Sequence, residues 1–305
     1  MNLHHLRLFT AVVNHGGFTK AAESLNLSQP AISKSLNELE RQLNLTLLDR
    51  SGRAIRLTDA GQALYARARE LFGVEWVAEQ ELREIRGLKR GVLRIGASTT
   101  IATYRLPPYL GRFHLRHAGI RIRATSANTR TVLRMLLESR VDVALVEGPL
   151  SHPQVEVHPW VDDELVVIAH PGHQLLSRND VDVPMLVREQ FIVREPGSGT
   201  RDVSARALAL HGARLTNTMR VGGTEAIKQA VAAGLGLAIV SLAAAADQIA
   251  LGKIAVLPVN GLVIRRTLAQ IKLRGRVPTA AARELELLLA QGTAEDSGDA
   301  SGTPG

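Results

Sequence analysis

The stretch TKAAESLNLSQPAISKSLNELERQL, residues 19–43, predicts two short helices joined by a tight turn. Thr19 is placed to cap the first helix, because a hydroxyl can accept a hydrogen bond from the free N–H groups of a first turn. Ser28 is a similar cap for the second helix, and Pro30 falls in its first turn, where a missing N–H loses no hydrogen bond. One face of the second helix should pack inward, since apolar residues recur on it at helical spacing. They are Ile32, Leu36, Leu39 and Leu43.

The opposite face of the second helix is polar. Its members are Gln29, Ser33, Lys34, Asn37 and Arg41. A short helix lying across a second helix whose N-terminal polar residues reach base edges is the arrangement of a helix-turn-helix. Gln and Asn can each make two hydrogen bonds to adenine, and Lys can reach guanine or phosphate. The alternative is an ordinary helical hairpin with a solvated outer face, which periodicity alone does not exclude.

The surrounding N-terminal sequence favours the helix-turn-helix. The motifs are LHHLRLF at 3–9, GGFT at 16–19, AA at 21–22, LSQPAIS at 27–33, Leu36, Leu39-Glu40 and LTDAG at 57–61. Together they closely resemble the LysR-type transcriptional regulators. The resemblance covers nearly the whole chain and weakens only in the C-terminal tail.

This resemblance implies an α/β fold with an N-terminal winged helix-turn-helix, a long linker helix, and a C-terminal two-subdomain α/β sensor like the type 2 periplasmic binding proteins. It implies a DNA-binding transcriptional regulator whose promoter binding is modulated by a small-molecule effector in the cleft of the sensor. The predicted wing is a β-hairpin over Leu45–Leu57, whose arginines could face phosphates. The predicted DNA-binding residues are Thr19, Gln29, Pro30, Ser33, Lys34, Asn37, Arg50 and Arg53.

A long helix is predicted from about Asp59 to Arg86, with Thr58 as its cap. Apolar residues recur in it every seven positions, which is typical of a two-helix seam. They are Leu64, Leu71, Ala78 and Ile85. The alternative is a helix packed on its own domain, but at 1.5 Å per residue this one is roughly 40 Å long. We therefore predict a linker and dimerisation helix, and a dimer would let two recognition helices read two half-sites.

From Gly91 onward, short apolar strands alternate with helices, which predicts a parallel α/β sheet. Candidate strands run from Val92–Ala97 to Leu268–Leu273. They are too many for one small sheet, and they fit the family plan of two subdomains joined by crossing strands. The predicted domains are 1–58 for DNA binding, 59–90 for the linker helix, 91–290 for effector binding and 291–305 as a disordered tail. Within the effector-binding domain, 91–161 with 266–289 should form the first subdomain and 162–265 the second.

Polar and glycine-rich segments follow four of the predicted strands. Ligands bind outside the carboxyl ends of strands in open α/β sheets, and free helix N–H groups there favour anions. The alternative is simple helix capping, which by itself explains any one of these segments. The family places its effector pocket between the matching segments. The predicted effector-binding residues are Ser98, Thr99, Thr100, Asn128, Thr129, Glu195, Gly197, Ser198, Gly199, Thr200 and Thr224.

The run REPGSGTR, residues 194–201, is the most informative of these segments. Two glycines flanking a serine at a helix start can form a backbone nest for an oxyanion. The run resembles the regulators of sulfur assimilation and of carbon dioxide fixation within the family. Glu195 would repel an anion unless it points away or pairs with Arg194 or Arg201. A small oxyanion, sulfite- or sulfate-like or a phosphorylated metabolite, is therefore a hypothesis, with a neutral or cationic metabolite as its alternative.

The composition is that of an ordinary globular protein of two or three domains, with 305 residues, 45% of them hydrophobic and 22% charged. The absence of cysteine removes disulfides, thiolate metal sites and cysteine nucleophiles. No apolar run approaches the length of about 18 residues expected of a membrane span, and no signal peptide is recognisable, so we expect a cytoplasmic protein.

The net charge of +8 favours a polyanionic partner such as DNA, although its distribution makes this weak evidence. Residues 1–60 hold seven basic and five acidic residues, whereas eight arginines and one acid lie between Arg105 and Arg140. Those later arginines could equally be a solvated surface.

Two other classes of protein are disfavoured. An enzyme lacks support because no nucleophile elbow, Walker loop, H-E-x-x-H motif or dinucleotide fingerprint is present in its structural setting. The spacings of His152, His158, His170 and His173 are unlike those of a helix-borne metal site, so a solvated loop is the better interpretation. A transport-type solute receptor is disfavoured by the missing signal peptide and by the N-terminal DNA-binding region. We therefore predict no cofactor and no metal, with double-stranded DNA, a small effector and further copies of the chain, as a homodimer or homotetramer, for partners.

Overall fold

The computed structural model describes residues 2–49, 55–85 and 91–298. Its contacts divide the chain into two compact units, Met1–Glu79 and Gln80–Gly305. The first unit contains α1 (Leu3–His15), α2 (Phe18–Leu25), α3 (Gln29–Leu43), β1 (Leu48–Asp49), β2 (Arg56–Leu57) and the start of α4 (Asp59–Ile85). Strands β1 and β2 pair antiparallel, as expected of a wing hairpin.

The first unit has one apolar core, to which each helix contributes one face. Phe9 of α1, Ala21 of α2 and Leu36 of α3 are fully buried in it. Helix α1 ends at Gly16, whose left-handed backbone (φ +70°) closes the last turn. The winged helix-turn-helix predicted from the sequence is therefore confirmed as the fold of this unit.

The helix caps follow the sequence at two of the three predicted positions. Ser28 accepts a hydrogen bond from the backbone N–H of Ala31 (3.4 Å), and Thr58 accepts one from that of Gly61 (3.0 Å). The predicted cap at Thr19 was wrong, because α2 begins at Phe18 with Gly17 as its N-cap. Phe18 packs against the core and so sets an earlier start for the helix.

Helix α4 packs its first turns on the core of this unit. Ala68 is buried there, with Leu64 and Phe72 packed beside it. Leu64 therefore contributes to the fold of its own unit, and its place in a dimer seam stays a prediction. Leu71 and Val74 stay outside the core, 37% and 71% exposed.

The second unit is built on a seven-stranded mixed sheet in the order β10-β6-β11-β5-β3-β4, with β9 paired to β6. Its strands are β3 (Gly91–Ser98), β4 (Ile120–Ala127), β5 (Val143–Glu147), β6 (Val155–Ala169), β9 (Ala238–Ser241), β10 (Ala255–Val256) and β11 (Ile264–Leu273). Strand β3 runs parallel to β4 and β5, whereas β11 runs antiparallel to β5 and β6. A separate parallel pair is formed by β7 (Phe191–Val193) and β8 (Thr218–Arg220).

Strands β6 and β11 cross between two apolar cores. Subdomain one is the part around β3, β4 and β5, and subdomain two is the part around β7, β8 and β9. On β6, Val155 is buried in a core of subdomain one and Val167 in a core of subdomain two. The sequence predicts a strand only over Leu165–Ala169, the last third of β6. Pro159 argues against a strand in the earlier part, but it lies at a break in the register with β11, where a missing N–H is tolerated.

The helices of the second unit cover the sheet. A π-helical segment (Ile101–Arg105) leads into α5 (Pro107–Arg116), and a 3-10 turn spans Gln174–Ser177. The others are α6 (Thr129–Leu137), α7 (Val183–Leu186), α8 (Gly199–Leu210), α9 (Thr224–Ala232), α10 (Leu242–Ala250) and α11 (Ala280–Gly298). Because α11 runs to Gly298, the prediction of disorder from residue 291 was wrong for residues 291–298. Gly292 lies close against Tyr109, which ties this part of α11 to α5, and residues 299–305 lie outside the described part.

Candidate functional site

The outer face of α3 carries the predicted DNA-reading residues. Gln29, Lys34 and Asn37 are exposed, and Ser33 is half-buried. A surface depression of about 460 Å³ is lined by Pro30, Ser33, Lys34, Asn37, Glu38 and Arg41. Thr19 is exposed on α2, and Arg50 and Arg53 lie outside the described residues.

An ion pair occupies the far end of this depression. Arg41 donates to the Glu38 carboxylate at 2.7 and 3.0 Å, and Gln42 donates to the same carboxylate at 3.0 Å. These hydrogen bonds, first from Arg41 and then from Gln42, lower the pKa of Glu38. The acidic group is thus neutralised by its own helix, which leaves the N-terminal half of α3 polar and without a facing carboxylate among its lining residues.

The wing is fixed to α3 by the carboxylate of Glu40, which the sequence offered only as part of a motif and without a role. Glu40 Oε1 accepts hydrogen bonds from the backbone N–H groups of Leu47 (2.7 Å) and Leu48 (3.2 Å). This contact sets where β1 starts relative to α3.

In the second unit, the guanidinium of Arg194 links the two subdomains. Its Nη2 donates to Thr99 Oγ1 at the end of β3 (3.0 Å), and its Nη1 donates to Thr224 Oγ1 at the start of α9 (3.1 Å). Arg194 is only 4% exposed. Sequence reasoning placed both threonines in the site but omitted Arg194, although it directly precedes Glu195 in the run already singled out.

Glu195 pairs with Arg194, which is one of the two arrangements that the sequence left open. Its two oxygens accept hydrogen bonds from Arg194 Nε and Nη2, both at 2.9 Å. Burial by itself would raise the pKa of Glu195, but the hydrogen bonds from Arg194, from its own backbone and from Asn128 outweigh it, and the pKa is lowered. The carboxylate is therefore an ionised internal partner of the guanidinium.

Two buried hydroxyls border the same region. Ser98 at the end of β3 and Ser198 at the N-cap of α8 are 0% and 1% exposed. The Oγ atoms of both are buried and have no hydrogen-bond partner within the described part of the chain. Thr100 is also buried. A buried hydroxyl without a partner is costly, so these groups are suited to receive an oxygen-rich ligand.

Other predicted residues have contacts that position the helices. Thr129 donates to the Glu147 carbonyl (2.8 Å), and Thr200 donates to Glu147 Oε1 (3.0 Å). A Cβ at Gly199 would lie 1.9 Å from the Glu147 carbonyl oxygen, so α8 can start there only with glycine. Gly197 has φ +90°, and its carbonyl accepts from the Arg130 N–H (3.2 Å). Close packing therefore accounts for both glycines.

A buried charge network lies where the two crossing strands meet the site. Arg266 of β11 contacts Asp163 (2.7 Å), Glu147 (3.0 Å) and Thr200 (2.9 Å). Ser241 donates to the other Asp163 oxygen at 2.6 Å. All of these side chains are buried, and their positions are scattered along the chain. No sequence motif therefore predicts the network.

The four clustered histidines of the sequence form backbone hydrogen bonds or pair with single carboxylates, as His158 does with Glu156 (3.5 Å) and His173 with Glu189 (3.8 Å). His152, His170 and His173 each accept a hydrogen bond from the backbone N–H two residues later. Among the described residues, no group of three or more His, Asp or Glu side chains could hold a metal ion.

The helices within residues 2–49, 55–85 and 91–298 include none that is long and apolar enough to cross a membrane.

Two family models match this chain. The LysR substrate binding domain matches residues 86–293, and the bacterial regulatory helix-turn-helix protein of the lysR family matches residues 3–62. A RuBisCO operon transcriptional regulator of Allochromatium vinosum is 35% identical over 292 residues, which cover 95% of this chain and 96% of the relative.

Two solved structures share the fold. A full-length OxyR variant from Pseudomonas aeruginosa aligns with a TM-score of 0.70 at 25% identity, covering 96% of this chain and 94% of OxyR. The regulatory domain of Synechocystis PCC6803 CcmR in complex with 2-PG aligns with a TM-score of 0.61 at 27% identity. The alignment covers 67% of this chain and 98% of the CcmR domain.

Proposed function

The chain belongs to the LysR family of transcriptional regulators, and on that premise we propose that it binds promoter DNA through α3 and responds to a small oxyanion held at Arg194. The observation that carries the effector proposal is the Arg194 guanidinium, buried between Thr99 and Thr224. A buried arginine offers a fixed fork of N–H donors, which matches the oxygens of a carboxylate, sulfate or phosphate.

Glu195 competes with an effector anion for the donors of Arg194. In the present state its carboxylate occupies two donors of Arg194, as an effector anion would. An entering oxyanion must displace or share this internal partner, and the buried hydroxyls of Ser98, Thr100 and Ser198 supply further hydrogen bonds. The complex of the CcmR regulatory domain with 2-PG supports a small-molecule ligand for this domain.

Binding at Arg194 would change the relation between the subdomains, because Thr99 and Thr224 belong to different ones. A ligand shifts such an equilibrium only if one state binds it more tightly. A tenfold preference corresponds to about 1.4 kcal/mol, which is enough to alter promoter occupancy.

We propose roles for the remaining predicted residues within this scheme. Asn128 orients Glu195. The residues that hold the helix starts in place are Thr129, Gly197, Gly199 and Thr200. The proposed DNA contacts are Gln29, Pro30, Ser33, Lys34 and Asn37 on α3, Thr19 on α2, and Arg50 and Arg53 on the wing.

The same premise extends to assembly and location. We propose a homodimer that pairs into a homotetramer, acting on chromosomal DNA in the cytoplasm. We also propose that the chain is not an enzyme, since the relatives that it matches are transcriptional regulators.

Calorimetry on the full-length protein tests the effector proposal, with 2-PG, sulfate, sulfite and inorganic phosphate as the probes. At least one anion should bind. Thr99→Val should lower the affinity for that anion about tenfold, because it removes the hydroxyl that holds the guanidinium. Glu195→Gln should tighten anion binding, because it removes the competing charge. Thr125→Val, on the exposed edge strand β4, is the matched control and should leave the affinity unchanged.

Two results would overturn the anion assignment. One is a neutral or cationic metabolite that binds while every anion fails, with Glu195→Gln abolishing its binding. The other is an anion whose affinity is the same in the wild type, Thr99→Val and Glu195→Gln. The mobility shift of promoter DNA, measured with and without the bound anion, separates binding from regulation.

A further inference from the structure

A second cavity, of about 720 Å³, lies inside subdomain two between α8 and the β7–β8 pair. Its floor is apolar, and polar side chains stand along α8 and the segment before β8. The floor includes Phe191, Leu208 and Ile239, and the polar lining includes Arg194, Arg201 and Arg214.

This cavity adjoins Arg194, which is one of its lining residues, but its apolar side lies towards α8. Phe191 packs in the core beneath α8, with Leu208 and Ile239, whereas Ile192 packs in the opposite core, with Ile227 of α9. Successive side chains of a strand point to opposite faces. The Arg194 guanidinium reaches Thr224 of α9, whereas the apolar residues of the cavity pack beneath α8.

The charge around the cavity is one-sided. Arg194, Arg201 and Arg214 line it, and the described lining residues include no aspartate or glutamate, although Arg194 is already paired with Glu195. The Arg201 Nη1 atom is buried and lacks a hydrogen-bond partner within the described chain. Because a buried guanidinium N–H without an acceptor is costly, a ligand oxygen at this point would be well placed.

We propose that this cavity is a second small-molecule site, which takes a carboxylate with an apolar body. The carboxylate would accept hydrogen bonds from Arg201 and Arg214, and the apolar body would cover Phe191, Leu208 and Ile239. The volume falls in the range of pockets that enclose small ligands. A bare oxyanion fits poorly, because it would leave the apolar side of the cavity without a partner.

Calorimetry on the full-length protein tests this site with octanoate and 2-naphthoate, each against its neutral counterpart, 1-octanol and 2-naphthol. At least one carboxylate should bind, and its neutral counterpart should bind at least about tenfold more weakly, since it lacks the charge-assisted hydrogen bonds. Arg201→Gln and Arg214→Gln should each lower the affinity for the carboxylate by about tenfold. Arg206→Gln is the matched control, because Arg206 is an exposed arginine of the same helix that does not line the cavity.

Several results would overturn the proposal. One is that neither carboxylate binds, and another is that the neutral compounds bind equally well. A third is that Arg206→Gln weakens binding as much as Arg201→Gln does. If Thr99→Val lowers the affinity for the carboxylate and Arg214→Gln does not, the carboxylate binds in the cleft at Arg194 instead. Melting temperatures of the unliganded variants, which should match the wild type, exclude misfolding as the cause of lost binding.

Discussion

Single residues in this protein take their chemistry from the partner that they contact. Glu195 appeared in the sequence as an obstacle to an anionic ligand, and the structure pairs it with Arg194 through two hydrogen bonds. On α3, Glu38 is similarly neutralised by Arg41. In both places the carboxylate has an arginine partner. The charge of one residue alone therefore does not decide which ligand a site accepts.

At this scale, Gln29→Ala should lower sequence specificity by about 1–3 kcal/mol, because Gln29 is exposed at the N-terminus of the recognition helix, where side chains reach base edges. The measurement is competition binding between a duplex selected from a random pool and a scrambled duplex of the same length. The control is Gln42→Ala, an identical change at the other end of α3. An equal loss of discrimination in both variants would remove Gln29 from the base-reading set.

Among the elements, α4 combines two functions along its length. Its first turns are part of the first unit, where Arg7 forms an ion pair with Glu75 (2.6 Å) and lies over the Phe72 ring. A second stripe of the helix leaves Leu71 and Val74 exposed. An exposed apolar stripe beside a firmly packed face is what a helix needs in order to join a partner without giving up its own fold.

Leu71→Asp should therefore dissociate the protein into a smaller particle, because the charge would be buried without a partner in a helix–helix seam. Folding should survive, since Leu71 is 37% exposed in the single chain. Light scattering coupled to size exclusion gives the mass over a concentration series. Gln62→Asp, on the opposite face of α4, should keep the wild-type mass. An unchanged mass for Leu71→Asp would rule out this seam.

Over the whole molecule, buried charges connect elements that are distant in the sequence. The side chain of Asp142 is 1% exposed, its Oδ2 accepts from the Arg94 N–H (2.8 Å), and its Oδ1 lies 3.8 Å from Arg276. Burial raises the pKa of Asp142 from 3.8 to about 6, against the opposing effects of Arg94 and Arg276. This carboxyl, directly before β5, joins β3 to the segment that follows β11.

The raised pKa predicts a pH dependence of stability. The folded state holds the proton more tightly than the unfolded state, so the contribution of Asp142 is complete below pH 4 and is lost as the pH rises through 6. The loss amounts to about 3 kcal/mol, from a shift of roughly two pKa units. Asp142→Asn cannot ionise, and its amide oxygen can still accept from Arg94.

Urea unfolding of the full-length protein from pH 4.5 to 7.5 measures this effect. The free energy of unfolding should fall with pH by roughly 2 kcal/mol more in the wild type than in Asp142→Asn over this range. Asp202→Asn removes one exposed carboxylate and serves as the control. Parallel pH profiles for the wild type and Asp142→Asn would show that Asp142 ionises normally in the folded protein.

The sequence by itself determined the elements whose causes are local. Ser28 and Thr58 cap the helices that follow them, and Gly16 ends α1, because capping depends on residues within one helical turn. Periodicity gave the inward face of α3, and short apolar runs gave the strands of the sensor. The spaced N-terminal motifs identified the family, since they combine many such local requirements in a fixed order.

Only the tertiary structure decided which polar groups meet. Arg194 contacts Thr99, 95 positions earlier, and Thr224, 30 positions later. Arg266 of β11 contacts Glu147 of the neighbouring strand β5. The physical reason is that a buried polar group must find its partner in space, and no local pattern records which distant residue will be there. The cavity beside α8 has the same origin, because an empty volume depends on how elements pack and has no signature in the order of residues.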